Sequence, residues 1–154
     1  MNILLLIDSL GSGGAQRQIV ALALGLQSTG HQVDIATYHP TNFYEKILLS
    51  QNVTIHKLNL YSKKTDYIKR IFKIRKLMKS KSYDVAVSFL ASASMYSALA
   101  NIGLKNIPLI VSERCGRLTE RRHAGKLRQL YRLASHIVTN STHEQERLLL
   151  EHEW

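Results

Sequence analysis

Short apolar runs alternate with helix-patterned segments along the whole of this 154-residue chain. The runs at 2–7, 32–38, 53–58, 84–89, 108–112 and 136–139 are rich in Val, Ile and Leu. Several are apolar without interruption, as strands buried on both faces of a parallel sheet are. The segments at 15–28, 41–50, 66–79, 92–102, 119–134 and 142–151 carry helical periodicity instead. Strand and helix in strict alternation, with short connections, predict an α/β fold: a Rossmann-like parallel sheet of about six strands with helices on both faces. Gly30 is the expected residue just past the first helix, and Thr142 the expected cap of the last. The chain has the length of one domain able to bury a real core.

The first apolar run stops at "DSLGSGGAQRQ", where Gly11, Gly13 and Gly14 fall within four positions and a helix pattern follows at once. In a parallel α/β sheet, ligands gather at the carboxyl ends of the strands, and this loop lies on that rim. Glycines let backbone N–H groups approach a ligand closely, and the positive end of the following helix points at the same place. An anion, typically a phosphate, suits such a site. A tight turn with close helix packing would use the same glycines. No Gly-Lys-Ser/Thr triplet makes a Walker loop. A dinucleotide fingerprint is a poor match, because the third glycine is displaced and the second strand ends in "ATYH" without the acid that would hold a ribose.

Charge is unevenly spread. The net charge is +10, and residues 63–81 hold nine Lys/Arg against Asp66 alone, while 114–132 hold seven against Glu120 alone. Solvated faces ordinarily mix both signs, so these segments point to an anionic partner. In "DYIKRIFKIRKLMK", Tyr67, Ile71, Ile74 and Met78 share one helical face, widened by Ile68, Phe72 and Leu77. The lysines flank that stripe. Nucleic acid is not the expected partner, since aromatic residues interleaved for base stacking are sparse. Cys115 is the single cysteine and forms no internal disulfide, which suits a cytoplasmic setting. None of the seven histidines has a metal-ligand spacing, so no metal is expected. No apolar run approaches the roughly 18 residues that cross a bilayer, and "MNILLLI" reads as a strand, since no basic stretch precedes it.

Three stretches carry a family resemblance. "LIDSLGSGGAQRQIVALALGLQSTGHQVDIAT" resembles the amino-terminal segment of the GT-B glycosyltransferases of family 4, in which Gly-Gly-x-Glu/Gln opens a long helix that ends in Gly-His-x-Val. "IVSERCG" is similar to their "ISER/SEH" stretch at the end of the fifth strand, and "ASHIVTNSTHEQERLL" to the strand and helix before their domain crossover. The resemblance covers nearly all 154 residues. It implies one half of a GT-B fold, in a retaining enzyme that uses a nucleotide-sugar to build lipopolysaccharide or a related polysaccharide or glycolipid. The amino-terminal half of such enzymes mainly binds the acceptor, and the other half holds the donor through a Glu-x7-Glu motif. The chain is accordingly expected to be the acceptor-side domain, 1–154, without its donor domain and inactive alone. It would be either a fragment or one subunit of a split enzyme whose donor domain is separate.

Carried over residue by residue, the resemblance places Gly13 and Gly14 against the donor diphosphate, with Arg17 one turn into the helix. Gln16 stands where a Glu is frequent. Glu113 and Arg114 leave the fifth strand on the acceptor side, where relatives carry a His. Ser112-Glu113-Arg114 offers none, so no catalytic residue is carried over. Ser88 heads the hydroxyl-rich stretch "SFLASAS" on the same side. Relatives acting on lipid-linked acceptors dock peripherally through this half, which makes Lys69, Lys73, Lys76 and Lys79 the expected contacts with an anionic surface at the inner face of the plasma membrane. No cofactor is implied beyond the nucleotide-sugar co-substrate. A rival reading from the residues alone is a non-catalytic α/β binding module whose glycine loop is purely structural.

Overall fold

The structure, a computed structural model, describes residues 1–60, 65–104, 107–114 and 128–152. Six strands form one sheet: β1 (Asn2–Leu6), β2 (Gln32–Thr37), β3 (Thr54–Lys57), β4 (Val85–Phe89), β5 (Leu109–Glu113) and β6 (His136–Thr139). They lie in the order β3-β2-β1-β4-β5-β6 and every pairing is parallel. The expected α/β sheet is therefore present, with each strand within a residue or so of its predicted bounds. Connections run outward from β1 in both directions, so the order reverses between β1 and β4. That reversal opens a crevice at the carboxyl ends of these two strands.

The helices are α1 (Gly14–Ser28), α2 (Glu45–Ser50), α3 (Asp66–Ser80), α4 (Ala91–Asn101) and α5 (Thr142–His152), with a 3-10 turn at Gln129–Leu133. Alternation along β1 sorts the core. Ile3, Leu5 and Ile7 pack with Ile19, Val20, Ala23 and Leu48 of α1 and α2 on one face. Leu4 and Leu6 pack with Ile74, Met78, Tyr96 and Ala98 of α3 and α4 on the other. A central strand buried on both sides has no use for polar residues, which is why "ILLLI" carries none. Burial of each such side chain contributes about 1.5–3 kcal/mol.

Local signals end the elements. Gly30 follows α1 at φ 86°, with its N–H on the Gln27 carbonyl and the His31 N–H on that of Leu26, the paired bonds of a Schellman ending. The cap of α5 falls one residue earlier than expected: the Ser141 hydroxyl accepts the Glu144 N–H at 3.2 Å. α2 is shorter than the predicted 41–50, because Asn42 bridges to Leu10 as a short parallel ladder before the helix begins. Of the helix expected at 119–134, residues 119–127 lie outside the described residues, as do Cys115, Arg117, Arg121 and Arg122.

α3 differs from its predicted face. Its buried positions are Asp66, Arg70, Ile74 and Met78, whereas Tyr67, Ile68 and Phe72 are 53%, 63% and 66% exposed. Arg70 takes the inward place because its charge is answered there. Its Nε donates to the Leu60 carbonyl at 2.6 Å, an Nη donates to the Tyr96 hydroxyl at 3.0 Å, and its guanidinium lies 4.5 Å from the centre of the Tyr38 ring.

Candidate functional site

The glycine loop joins β1 to α1 at the β1/β4 crevice. Gly13 caps α1 in an extended conformation, φ −72° and ψ 167°, with no side chain bonded to the helix end and no acid in the first turn. The positive end of a 15-residue helix is thus open to the rim. None of the three glycines has a positive φ. A Cβ at Gly14 would meet nothing within 4 Å, and one at Gly13 only the movable end of Gln16. Neither a strained turn nor close packing requires Gly14, which removes the main structural explanation for it. What it leaves is room above the helix end. Arg17 is exposed on the same helix.

Asp8, at the tip of β1, borders this space. Its Oδ1 accepts the Ser9 N–H at 2.6 Å and the Gln16 amide at 3.2 Å. Its main-chain carbonyl accepts the N–H groups of Tyr38 and His39 at 3.2 and 2.8 Å. Tyr38 and Ser92 share a 2.6 Å hydroxyl–hydroxyl bond, which ties the end of β2 to the start of α4. Burial foremost, and then the charge of Asp8, push the Tyr38 phenol above its ordinary pKa, so it stays a neutral donor. The chain enters α4 through Leu90, a non-glycine residue at φ 72° and ψ 148° whose N–H bonds the Ser112 carbonyl. Such a conformation costs about 1–3 kcal/mol. It turns the start of α4, with Ser92, toward the same crevice.

On the β5 side, Arg114 lies on the rim. Its Nε donates to Ser112 Oγ at 2.7 Å and its guanidinium sits 4.8 Å from the centre of the Phe89 ring. Phe89 belongs to the apolar cluster that also holds Leu10 and Ala15. Partial burial lowers its guanidinium pKa, though the group remains charged. The other two expected acceptor-side residues sit deeper than the sequence suggested. Glu113 is wholly buried, and its Oε2 takes bonds from Arg128 at 3.0 Å and Tyr131 at 2.7 Å. Ser88 is also wholly buried, bonded to Ser94 at 3.1 Å. Neither exposes an atom to a ligand. Both correct the expectation of direct contact, because side-chain partners one layer below the rim claim them. Lys69, Lys73, Lys76 and Lys79 are all exposed on α3, Lys73 reaching the Leu58 carbonyl at 3.1 Å. They stand beside the exposed Ile68 and Phe72 and away from the crevice helix α1.

Asp8 and Tyr38 are the residues that sequence reasoning passed over, while Ser92 lies within the hydroxyl-rich stretch already marked in the sequence. Asp8 had a signal, a carboxylate ending an apolar strand just before a glycine loop. Tyr38 had none, since only the strand order brings it to Ser92.

An all-parallel sheet whose order reverses beside a glycine-opened helix end defines a Rossmann-like α/β domain. Residues 12–152 match the family Glycosyltransferase Family 4, and the chain belongs to that family. A relative in Campylobacter jejuni, GalNAc-α-(1→4)-GalNAc-α-(1→3)-diNAcBac-PP-undecaprenol α-1,4-N-acetyl-D-galactosaminyltransferase, is 37% identical over 119 residues, covering 73% of this chain and 32% of its own length. Among solved structures, a glycosyltransferase from Rickettsia africae superposes with a TM-score of 0.76 at 19% identity, over 99% of this chain and 40% of that one. Anabaena HepE, solved in complex with UDP and glucose, gives 0.73 at 16% identity, over 98% and 41%. The chain thus spans about a third of the curated relative and about two fifths of these structures.

Proposed function

We propose that the chain is the acceptor-side half of a retaining glycosyltransferase, which moves a sugar from a nucleotide-sugar to a glycan or lipid-linked acceptor at an anionic membrane face. The observation that carries this reading is the unblocked amino-terminal end of α1 at the β1/β4 crevice, with Gly14 that the fold itself does not need. In transfer, an acceptor hydroxyl attacks the anomeric carbon as the sugar–phosphate bond breaks, and negative charge grows on the departing nucleoside diphosphate. Backbone N–H groups and a helix dipole aimed at that charge stabilise the transition state without reorganising. Arg114, just past β5, adds a guanidinium suited to oxyanions.

The share of relatives spanned supports a two-part enzyme, in which a second domain brings the donor and this chain alone turns nothing over. The lipid-linked acceptor in the Campylobacter relative's name supports a peripheral membrane setting. So does α3, whose exposed Ile68 and Phe72 lie among four exposed lysines. No described helix is long and apolar enough to cross a membrane. The reading places the enzyme at the cytoplasmic face, where nucleotide-sugars are made.

Co-expression with the carboxyl-terminal domain of the Campylobacter relative tests the reading. The expected outcome is a stable complex that hydrolyses or transfers from a UDP-sugar, while either part alone is silent. A stable complex without turnover favours the non-catalytic binding module.

A further inference from the structure

We infer that Asp8 is an acceptor-binding residue whose Oδ2 receives a hydroxyl of the acceptor sugar, an inference that rests on the acceptor-side reading above. The argument begins with an asymmetry in one carboxylate. Oδ1 is held by the Ser9 N–H at 2.6 Å, the Ser9 hydroxyl at 3.3 Å and the Gln16 amide at 3.2 Å. Among the described residues, Oδ2 has no hydrogen-bond partner. Asp8 is half-buried, in a chain of net charge +10, and no Lys or Arg among the described residues pairs with it. By contrast, Asp34 and Glu113 each hold at least one basic partner. A half-buried carboxylate with one oxygen pinned and the other left open is set for an outside donor.

Its position narrows what that donor is. Asp8 lies just past β1, and its backbone carbonyl is clamped by the N–H groups of Tyr38 and His39, so the side chain has a fixed root. Tyr38, just past β2, and Ser92, in the first turn of α4, have hydroxyls bonded to each other at 2.6 Å. The open end of α1 lies across Gln16, which itself bonds Asp8. A phosphate suits the helix end and is repelled by the carboxylate, so the two features do not serve one anion. A neutral polyhydroxylated ligand suits the carboxylate, because sugar hydroxyls are donors and a charged acceptor makes the stronger kind of hydrogen bond. Preorganisation by Ser9, Gln16, Tyr38 and His39 means little ordering cost on binding. Asp8 would then hold the acceptor hydroxyl group on the side of the crevice next to the donor's phosphate.

The test titrates methyl α-glycosides of glucose, galactose and N-acetylgalactosamine into the 15N-labelled chain and follows amide shifts, with Asp8→Asn as the variant. Asn keeps an oxygen for the Ser9 N–H and puts an NH2 where Oδ2 stood, so the loop survives and the acceptor atom is lost. We expect at least one glycoside to shift the amides of Ser9, Gly11 and His39, and Asp8→Asn to weaken that binding about tenfold or more at an unchanged melting temperature. Wild-type affinity in Asp8→Asn overturns the inference and leaves the acceptor-side reading standing. Failure of every glycoside to shift any wild-type amide overturns that reading, and the inference with it. A third outcome assigns Asp8 to the donor and also overturns the inference: UDP moving the same amides, with only UDP binding altered by the variant. Should Asp8→Asn lower the melting temperature, Asp8→Glu, which restores a carboxylate, must regain glycoside binding for the inference to stand.

Discussion

At the scale of single residues, what a carboxylate can do here depends on how many of its oxygens the fold has claimed. Asp34, in the middle of β2, gives one oxygen to three donors, with His56, Lys81 and the Tyr83 hydroxyl all at 2.7 Å from Oδ2. Burial opposes its ionisation, but the bonds from Lys81, His56 and Tyr83 outweigh burial and hold its pKa below the usual carboxylate value. A folded-state pKa depressed in this way contributes stability above the unfolded value of about 3.9, lost as pH falls through the folded pKa. Asp34→Asn should therefore cost about 1–3 kcal/mol near neutrality. It should also flatten the wild-type loss of stability below about pH 4. Urea melts of both proteins between neutrality and acid check this, and parallel pH profiles would refute it. Gly14 is the opposite case, a residue the fold does not use. Gly14→Val adds a branched side chain where a Cβ meets nothing, so the melting temperature should hardly move. In the two-domain enzyme its donor KM should rise about tenfold, equivalent to 1.4 kcal/mol, as the approach to the helix end is filled. An unchanged donor KM in the folded variant removes the loop from the site.

Among the elements, α1 and α3 show how far periodicity can be read. α1 ends where Gly30 can take a left-handed conformation, and its apolar side packs on β1 as its pattern requires. α3 has enough apolar residues for two faces, and counting them does not say which face turns inward. The answer came from Arg70, whose partners Leu60, Tyr38 and Tyr96 belong to other elements. With Arg70 inside, Ile68 and Phe72 point out among Lys69, Lys73, Lys76 and Lys79. A basic helix with an apolar ridge suits an anionic bilayer, each lysine contributing about 1 kcal/mol near the surface. Reversing the four lysines to Glu should abolish pelleting with phosphatidylglycerol vesicles. The fold should survive, since exposed charges add little to stability. Wild-type pelleting should also weaken steeply with salt, because exposed charges are screened within roughly 8 Å at physiological ionic strength. Pelleting indifferent to lipid charge and to the reversals would leave α3 an ordinary solvated face.

On the scale of the molecule, the site is a product of strand order. Asp8, Tyr38 and Ser92 are 30 to 84 positions apart and meet because β2, β1 and β4 are neighbours with their carboxyl ends together. Strand–helix alternation by itself determined that the sheet is parallel and covered on both faces, since short crossovers of one hand permit little else. Local chemistry determined the ends of α1 and the place of the glycine loop, because a left-handed residue or a strand-to-helix turn needs only near neighbours. Only the tertiary structure decided which polar groups remain available. Glu113 and Ser88 look like rim residues in the sequence, yet Arg128, Tyr131 and Ser94 claim them from below. Asp8 reads as a carboxylate closing an apolar run, and only the fold leaves its Oδ2 without a partner among the described residues. The strain at Leu90 was equally silent, since no glycine marks it and the pull on it comes from Ser112 on a neighbouring strand. Burial and hydrogen bonding are settled between elements distant in sequence, so the periodicity of any one segment carries no record of them.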